Sequence, residues 1–279
     1  MKTAVGCCAA LLVALIAFPA QASADLVPYD DFEAEGIDQD KWSGTQSGIL
    51  LDVGRETDGP RGFRKLRLVA SAFGLFGSTV PDVGDSLGRV RLLFTNPSAV
   101  TTIEAKVEVR EVEATGCPGN LTPTRAQTRI SGFFFKSAAV TPPSGINDVL
   151  AFVRIERSSN TDDPEGMLRV LGVVFHCADP DCFAGTVLNP GNTDLGTIMK
   201  KEVTTLRIEW DQLNHRFIFQ RDDQPEVIAP YDVADELPPD IVQKRLEIAH
   251  QVANCTATPT TPRPAAFMEA RFDDVAVNP

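Results

Sequence analysis

The chain has 279 residues, a formal net charge of −12, and few large aromatic rings, with 2 Trp and 2 Tyr. So acidic a balance repels nucleic acid and anionic membrane surfaces at long range, which argues against both as partners. The length suits one large all-β domain as well as two small ones, and is enough to bury a sizeable core without depending on staples.

The first 24 residues read as a leader. Met1-Lys2 carries the positive start, residues 9–18 (AALLVALIAF) form a short apolar run, and Ala22-Ser23-Ala24 is a small-x-small cleavage site. This is the pattern of a secretory signal peptide cut before Asp25. Cys7 and Cys8 precede the apolar run, so they fall within the removed peptide rather than marking a lipidated terminus. Residues 25–279 are then expected to form a single exported domain, periplasmic or extracellular, with no later apolar run of transmembrane length.

Residues 26–32 (LVPYDDF) predict an opening strand whose proline suits an edge. Residues 33–42 predict a loop ending on Trp42. Strands are expected at 48–53 and 65–70, separated by a stretch rich in Gly, Pro and charge at 55–62. A glycine-rich loop is expected at 73–88 and a strand at 89–94. Residues 101–113 form the longest alternating run, with Ile103, Ala105, Val107 and Val109 opposite Glu104, Lys106, Glu108 and Arg110. The phase slips at Glu111, which predicts a bulge or the strand's end.

Residues 129–136 (RISGFFFK) predict a strand covered on both faces. Residues 148–157 (DVLAFVRIER) alternate and put Phe152, Arg154 and Glu156 on one face; a strand at 167–177 follows. The Cys loop and a Gly/Asn/Pro segment then run to Gly196. Residues 203–228 read as three strands and two tight turns. Leu206, Ile208 and Trp210 share one face, as do Phe217 and Phe219 on the return. Residues 232–243 allow a short helical turn, limited by Pro238-Pro239. Strands at 244–252 and 266–277 close the chain. About a dozen strands spaced by turn signals, with no amphipathic helix, predict a two-sheet antiparallel β-sandwich of jelly-roll type.

Four cysteines follow the leader: Cys117, Cys177, Cys182 and Cys255. An even number in an exported chain predicts two disulfides, with three possible pairings. Ala-Asp-Pro-Asp between Cys177 and Cys182 is turn chemistry and predicts a local bridge, which leaves Cys117 with Cys255. The rival use is zinc held by His176, Cys177, Cys182 and one further ligand; an oxidising compartment favours the disulfides.

Tyr29-Asp30-Asp31-Phe32, then Ile37-Asp38 and Asp40-Lys41-Trp42, resembles the N-terminal aromatic-acid-acid-Phe … Leu-Asp-Pro-x-Lys-Trp pattern of concanavalin A-like lectin/glucanase domains. Laminarinase and lichenase relatives and laminin-G-like modules belong to that superfamily. Residues 272–277 (FDDVAV) look like its closing strand, and residues 206–225 are similar to the strand–turn–strand segment before it. The resemblance implies a convex back sheet, a concave front sheet, and first and last strands that are neighbours in the back sheet.

Hydrolytic members of that superfamily use a Glu-x-Asp-x-x-Glu strand, and retention requires two carboxylates about 5–5.5 Å apart. The nearest match here is Glu108-Val-Arg110-Glu111-Val-Glu113. Glu108 and Glu113 keep the outer spacing, but Arg110 stands where the middle Asp belongs, so the catalytic set is not intact. The plainer reading is a solvated strand edge of alternating charge. Asp273 sits where the glucanase relatives place an acid on a structural calcium ion, a hard cation suited to carboxylate and carbonyl oxygen. The plainer reading of Asp273 is an outward acid that discourages edge pairing.

His176, His215 and His250 lie far apart and share no motif. His215 is expected beside a turn and facing solvent, the other two in structural roles. Phe152, Arg154 and Glu156 are the binding candidates. Sugar rings stack on apolar faces while hydroxyls need polar partners, although 2 Trp and 2 Tyr make a poor platform. Trp210, Phe217 and Phe219 are expected in the core. The leading functional expectation is an exported non-catalytic module that binds a glycan or cell-surface partner through the front sheet or its rim loops. A polysaccharide hydrolase or lyase with atypical acid/base residues comes second, and a structural or adhesion component of the cell envelope third.

Overall fold

A computed structural model describes residues 26–48, 50–74, 86–117, 120–188, 193–255 and 263–278. The leader expected at 1–24 and most of the loop expected at 73–88 lie outside the described residues. Two antiparallel sheets pack face to face as a jelly-roll sandwich. The back sheet holds β1 (Val27–Asp30), β3 (Leu50–Asp58), β4 (Lys65–Phe73), β6 (Thr102–Thr115), β12 (Val203–Asp211), β13 (Arg216–Arg221), β14 (Val227–Pro230) and β16 (Ala265–Val277). The front sheet holds β2 (Trp42–Gly48), β5 (Ser86–Phe94), β7 (Arg125–Lys136), β8 (Asp148–Ser158), β9 (Met167–Cys177), β10 (Gly185–Val187), β11 (Thr193–Met199) and β15 (Lys244–Val252).

The period-2 alternation of the strands builds a single core between the sheets. Ile103, Ala105, Val107, Leu206, Ile208 and Phe272 meet Ile130, Val153, Ile155, Leu246 and Ile248 there. Each fully buried Leu, Ile or Phe contributes about 1.5–3 kcal/mol. In β6 the bulge falls between the Glu111↔Glu269 and Val109↔Ala270 pairs. The extra residue restores the phase, so Val112 packs against the core instead of staying out of step.

The first and last strands are neighbours: β1 pairs with β16, Val27 opposite Val277. The N-terminal motif ties this corner to the front sheet. Trp42, fully buried at the start of β2, donates Nε1–H to Asp30 Oδ2 at 2.6 Å. Tyr29 meets its ring edge-on at 5.1 Å and Phe94 packs at 4.5 Å. Phe217 and Phe219 are fully buried, and Trp210 stacks on Phe135 at 5.3 Å.

Four local expectations are corrected. Residues 42–48 form β2, an exposed strand on the rim whose WSGTQSG sequence has no apolar alternation to announce it. Residues 55–58 extend β3; their signal is ionic, Glu56 pairing with Arg67 across the sheet at 2.7 Å. The segment leading to Gly196 contains β10 and β11, both paired to β9. Residues 232–243 hold no helical turn; Leu237 instead bridges to Lys136, beside the helix-breaking Pro238-Pro239. Both disulfides form as expected, Cys117–Cys255 and Cys177–Cys182, so the Cys177 and Cys182 sulfurs are committed to each other and not to zinc.

Candidate functional site: an arginine groove on the front sheet

The outward face of the front sheet alternates with its core face, so its side chains fall into rows set by register. Arg91 on β5 is the partner of Glu247 on β15, Glu247 of Arg129 on β7, and Arg129 of Arg154 on β8. Adjacent positions in such a row are about 4.7–4.9 Å apart in strand spacing. In flanking rows, Arg245 pairs with Ser131 and Ser131 with Phe152, while Glu156 pairs with Gln127 and Arg169.

Glu247 is the anionic hub of this face and is wholly buried. Its carboxylate lies 2.7 Å from Arg129 Nε, 3.1 Å from Arg245 Nε and 3.3 Å from Arg91 Nε, and accepts a 3.0 Å hydrogen bond from Ser131 Oγ. The Arg129 contact is an ion contact off the hydrogen-bond line. Burial pushes the Glu247 carboxyl up, but the charges of Arg129, Arg245 and Arg91 outweigh it and hold its pKa far below the carboxylate range. Glu156 lies 2.9 Å from Arg154 Nε.

Aromatic rings hold the guanidinium planes. Arg129 lies 4.6 Å from the Phe152 centroid, Arg89 4.7 Å from Phe183 and Arg245 5.3 Å from Phe133. The Cys177–Cys182 bridge closes the turn that carries Phe183 to this position. Arg89 is 9% exposed and, among the described residues, has no hydrogen bond or ion pair. Burial, then the charge of Arg129, pushes its pKa down to about 9, so it remains cationic at neutral pH.

Arg89, Arg125, Arg129, Phe152, Arg154 and Phe183 line a groove of about 390 Å³, with Glu247 behind Arg129 in contact with Arg91 and Arg245. An adjoining hollow of about 380 Å³ shares Arg125 and Arg154 and extends to Glu156 and Arg169. Phe152, Arg154 and Glu156, expected from one strand's alternation, all sit here. The other members were missed: Arg89, Arg91, Arg129, Arg245 and Glu247 come from three further strands. Their one sequence signal is charge at every second position of otherwise apolar strands, as in RVRL and RLEI.

Glu108 and Glu113 lie elsewhere, on the outer side of β6 in the back sheet. Glu108 is held by Arg110 at 2.6 Å and Lys65 at 3.4 Å. Burial raises its pKa, yet Arg110 and Lys65 bring it below the usual value. Glu113 accepts a hydrogen bond from Thr115. Asp273 accepts the backbone N–H of Asp274 at 2.9 Å, and burial, then the Asp274 charge, raises its pKa. Among the described residues, no three Asp, Glu, His or Cys side chains converge as a metal site, so a calcium ion at Asp273 would rest largely on backbone oxygens.

Of the histidines only His250 borders the groove, and its Nδ1 is buried without a hydrogen-bond partner. His250 Nε2 is 3.0 Å from the Ala70 carbonyl of the back sheet, His176 Nε2 is 2.7 Å from Ser137 Oγ, and exposed His215 lies 3.1 Å from Asp235.

No family model and no curated protein matches the chain. Among solved structures it is similar to LamAcat from Zobellia galactanivorans, at 12% identity and a TM-score of 0.41, covering 90% of this chain and 96% of that one. It is also similar to the alginate lyase from Klebsiella pneumoniae, at 11% identity and a TM-score of 0.40, covering 90% and 99%. A sialidase is matched at 12% identity and a TM-score of 0.40, over 90% of this chain but only 18% of that one. At these values the likeness does not extend to site or ligand.

Proposed function

We propose that this chain is an exported, non-catalytic module that binds a glycan in the front-sheet groove. The observation that carries this reading is the pairing of free donor capacity with locked carboxylates. Arginine guanidiniums and Phe183, which is 48% exposed, open on the groove, whereas Glu247 and Glu156 are engaged by arginines. Guanidinium N–H groups suit sugar oxygens, and an exposed ring suits the apolar face of a sugar.

Hydrolysis needs one carboxyl that holds a proton and a second that acts as base or nucleophile. Glu247, kept ionised and wholly buried, is suited to neither role. A lyase needs a base at the groove. His176 and His215 are engaged elsewhere, His250 turns its Nε2 to the Ala70 carbonyl of the back sheet, and Tyr29 and Tyr231 pack with Trp42 and Phe135. The two disulfides fit an oxidising, exported setting.

A glycan array read together with a product assay tests this. The expected result is saturable binding with no release of reducing ends or unsaturated sugars. Turnover of any bound glycan contradicts the non-catalytic reading, and silence on a broad array contradicts glycan binding.

A further inference from the structure

The face that forms the groove is charged against the rest of the molecule. The chain carries a net charge of −12. The adjoining hollow sets Arg169 beside Glu156, Asp162 and Asp163, yet the groove itself is lined by four arginines, Arg89, Arg125, Arg129 and Arg154, and by no Asp or Glu. The excess along its lining is four positive charges.

Two details indicate that the excess awaits an external anion. Arg129 and Arg154 are direct cross-strand partners, and like charges placed opposite each other destabilise a sheet. Both line the groove, and the Nε of each is buried without a hydrogen-bond partner although Glu247 and Glu156 lie 2.7 and 2.9 Å away. Arg89 has neither an ion pair nor a hydrogen bond among the described residues, although it is nine-tenths buried and lines the groove. Glu247 and Asp179 act on Arg89 only through space; a buried cation without a contacting counter-ion is costly, and an arriving anion relieves that cost. Stacking on Phe152 and Phe183 fixes the arginine planes beforehand, so little side-chain freedom is lost on binding.

We propose that the groove is selective for an anionic polysaccharide, one that carries carboxylate or sulfate groups along its chain, over neutral glycans. This rests on the glycan-binding reading above and names its ligand class. Carboxylate and sulfate oxygens both fit the planar guanidinium fork, which binds them through paired N–H donors. The overall negative charge works in the same direction as selectivity. It repels dense polyanions such as duplex nucleic acid, which carry one charge per about 1.7 Å. A polysaccharide with no more than about one anionic group per sugar ring meets less repulsion at a distance and gains the local pairs on arrival. In the adjoining hollow Arg169 is already paired with Asp163, so the anionic groups sit in the groove between Arg89 and Arg154.

The test is calorimetric titration of the whole protein at low salt with three probes: a polyuronate, a sulfated galactan and a neutral β-glucan. The polyuronate or the galactan is expected to bind, and the neutral glucan not to. Which of the two binds more tightly distinguishes carboxylate from sulfate. Arg125→Gln is expected to weaken binding about tenfold with an unchanged melting temperature, and Arg154→Gln to weaken binding while also lowering the melting temperature, because it strands buried Glu156. Arg271→Gln on the back sheet is expected to leave binding unaltered, and raising the salt to weaken it. Equal or tighter binding of the neutral glucan overturns the anion inference while leaving glycan binding intact. Failure of all three probes on a chain that does bind other neutral glycans on an array has the same effect. Failure on every glycan overturns both readings.

Discussion

Arg129 Nε lies 2.7 Å from Oε1 of Glu247, its Cα partner on the neighbouring strand. Glu247 is the counter-ion around which Arg91, Arg129 and Arg245 are arranged, and it is wholly buried. Removing one partner of such a group strands the others. Glu247→Gln is expected to cost about 3–5 kcal/mol of stability, measured by urea unfolding at neutral pH. A loss below about 1 kcal/mol would show that the hub behaves as an ordinary surface ion pair.

His250 makes stability depend on pH in a defined window. Burial lowers its pKa to about 4, partly offset by the Ala70 carbonyl, against an ordinary value of 6.5. Between those values the unfolded chain binds a proton that the folded chain does not, so stability falls as pH drops from 6.5 toward 4. The full effect is about 3 kcal/mol. His250→Gln is expected to flatten this part of the profile relative to wild type in unfolding experiments across that window. An unchanged slope means the imidazole is not buried neutral.

Much of the sandwich was legible because alternation is local. β6, β8 and β12 each show apolar residues at every second position, and each forms where expected. β2 and β10 were not legible, since a rim strand facing water needs no apolar face. The site divides the same way. Phe152, Arg154 and Glu156 sit on one strand, so their shared face follows from period 2 alone. Arg91, Arg129 and Glu247 meet only through pairings between residues 116 to 156 positions apart, such as Ser131 with Glu247 and Arg91 with Glu247. No local pattern specifies such a register. Trp42 was placed by a motif, and its reason became physical only with its hydrogen bond to buried Asp30.

The two disulfides are expected to do different work. Cys117–Cys255 spans 138 residues and Cys177–Cys182 spans 5. In the chain-entropy picture the longer loop contributes more, by about 3 kcal/mol. Cys117→Ala/Cys255→Ala should therefore lower the melting temperature substantially. Cys177→Ala/Cys182→Ala should leave it close to wild type but weaken ligand binding, because that bridge closes the turn bearing Phe183. The reverse order of stabilities would contradict this division.

Calcium at Asp273 can be tested by melting the protein with millimolar calcium and again after chelation. Among the described residues Asp273 accepts only the N–H of Asp274 through Oδ1, which leaves Oδ2 for an ion that backbone oxygens would complete, and no shift at millimolar calcium would sink the idea. A rise of several degrees that Asp273→Asn abolishes would place the ion there.

The most direct test of the groove as the binding site is side-chain NMR of the arginine Nε–H groups during titration with a bound anionic glycan. The predicted result is saturable shifts at Arg89, Arg129 and Arg154, with Arg67 and Arg271 of the back sheet unmoved. Shifts confined to the back-sheet arginines, or spread evenly over all of them, would contradict the account.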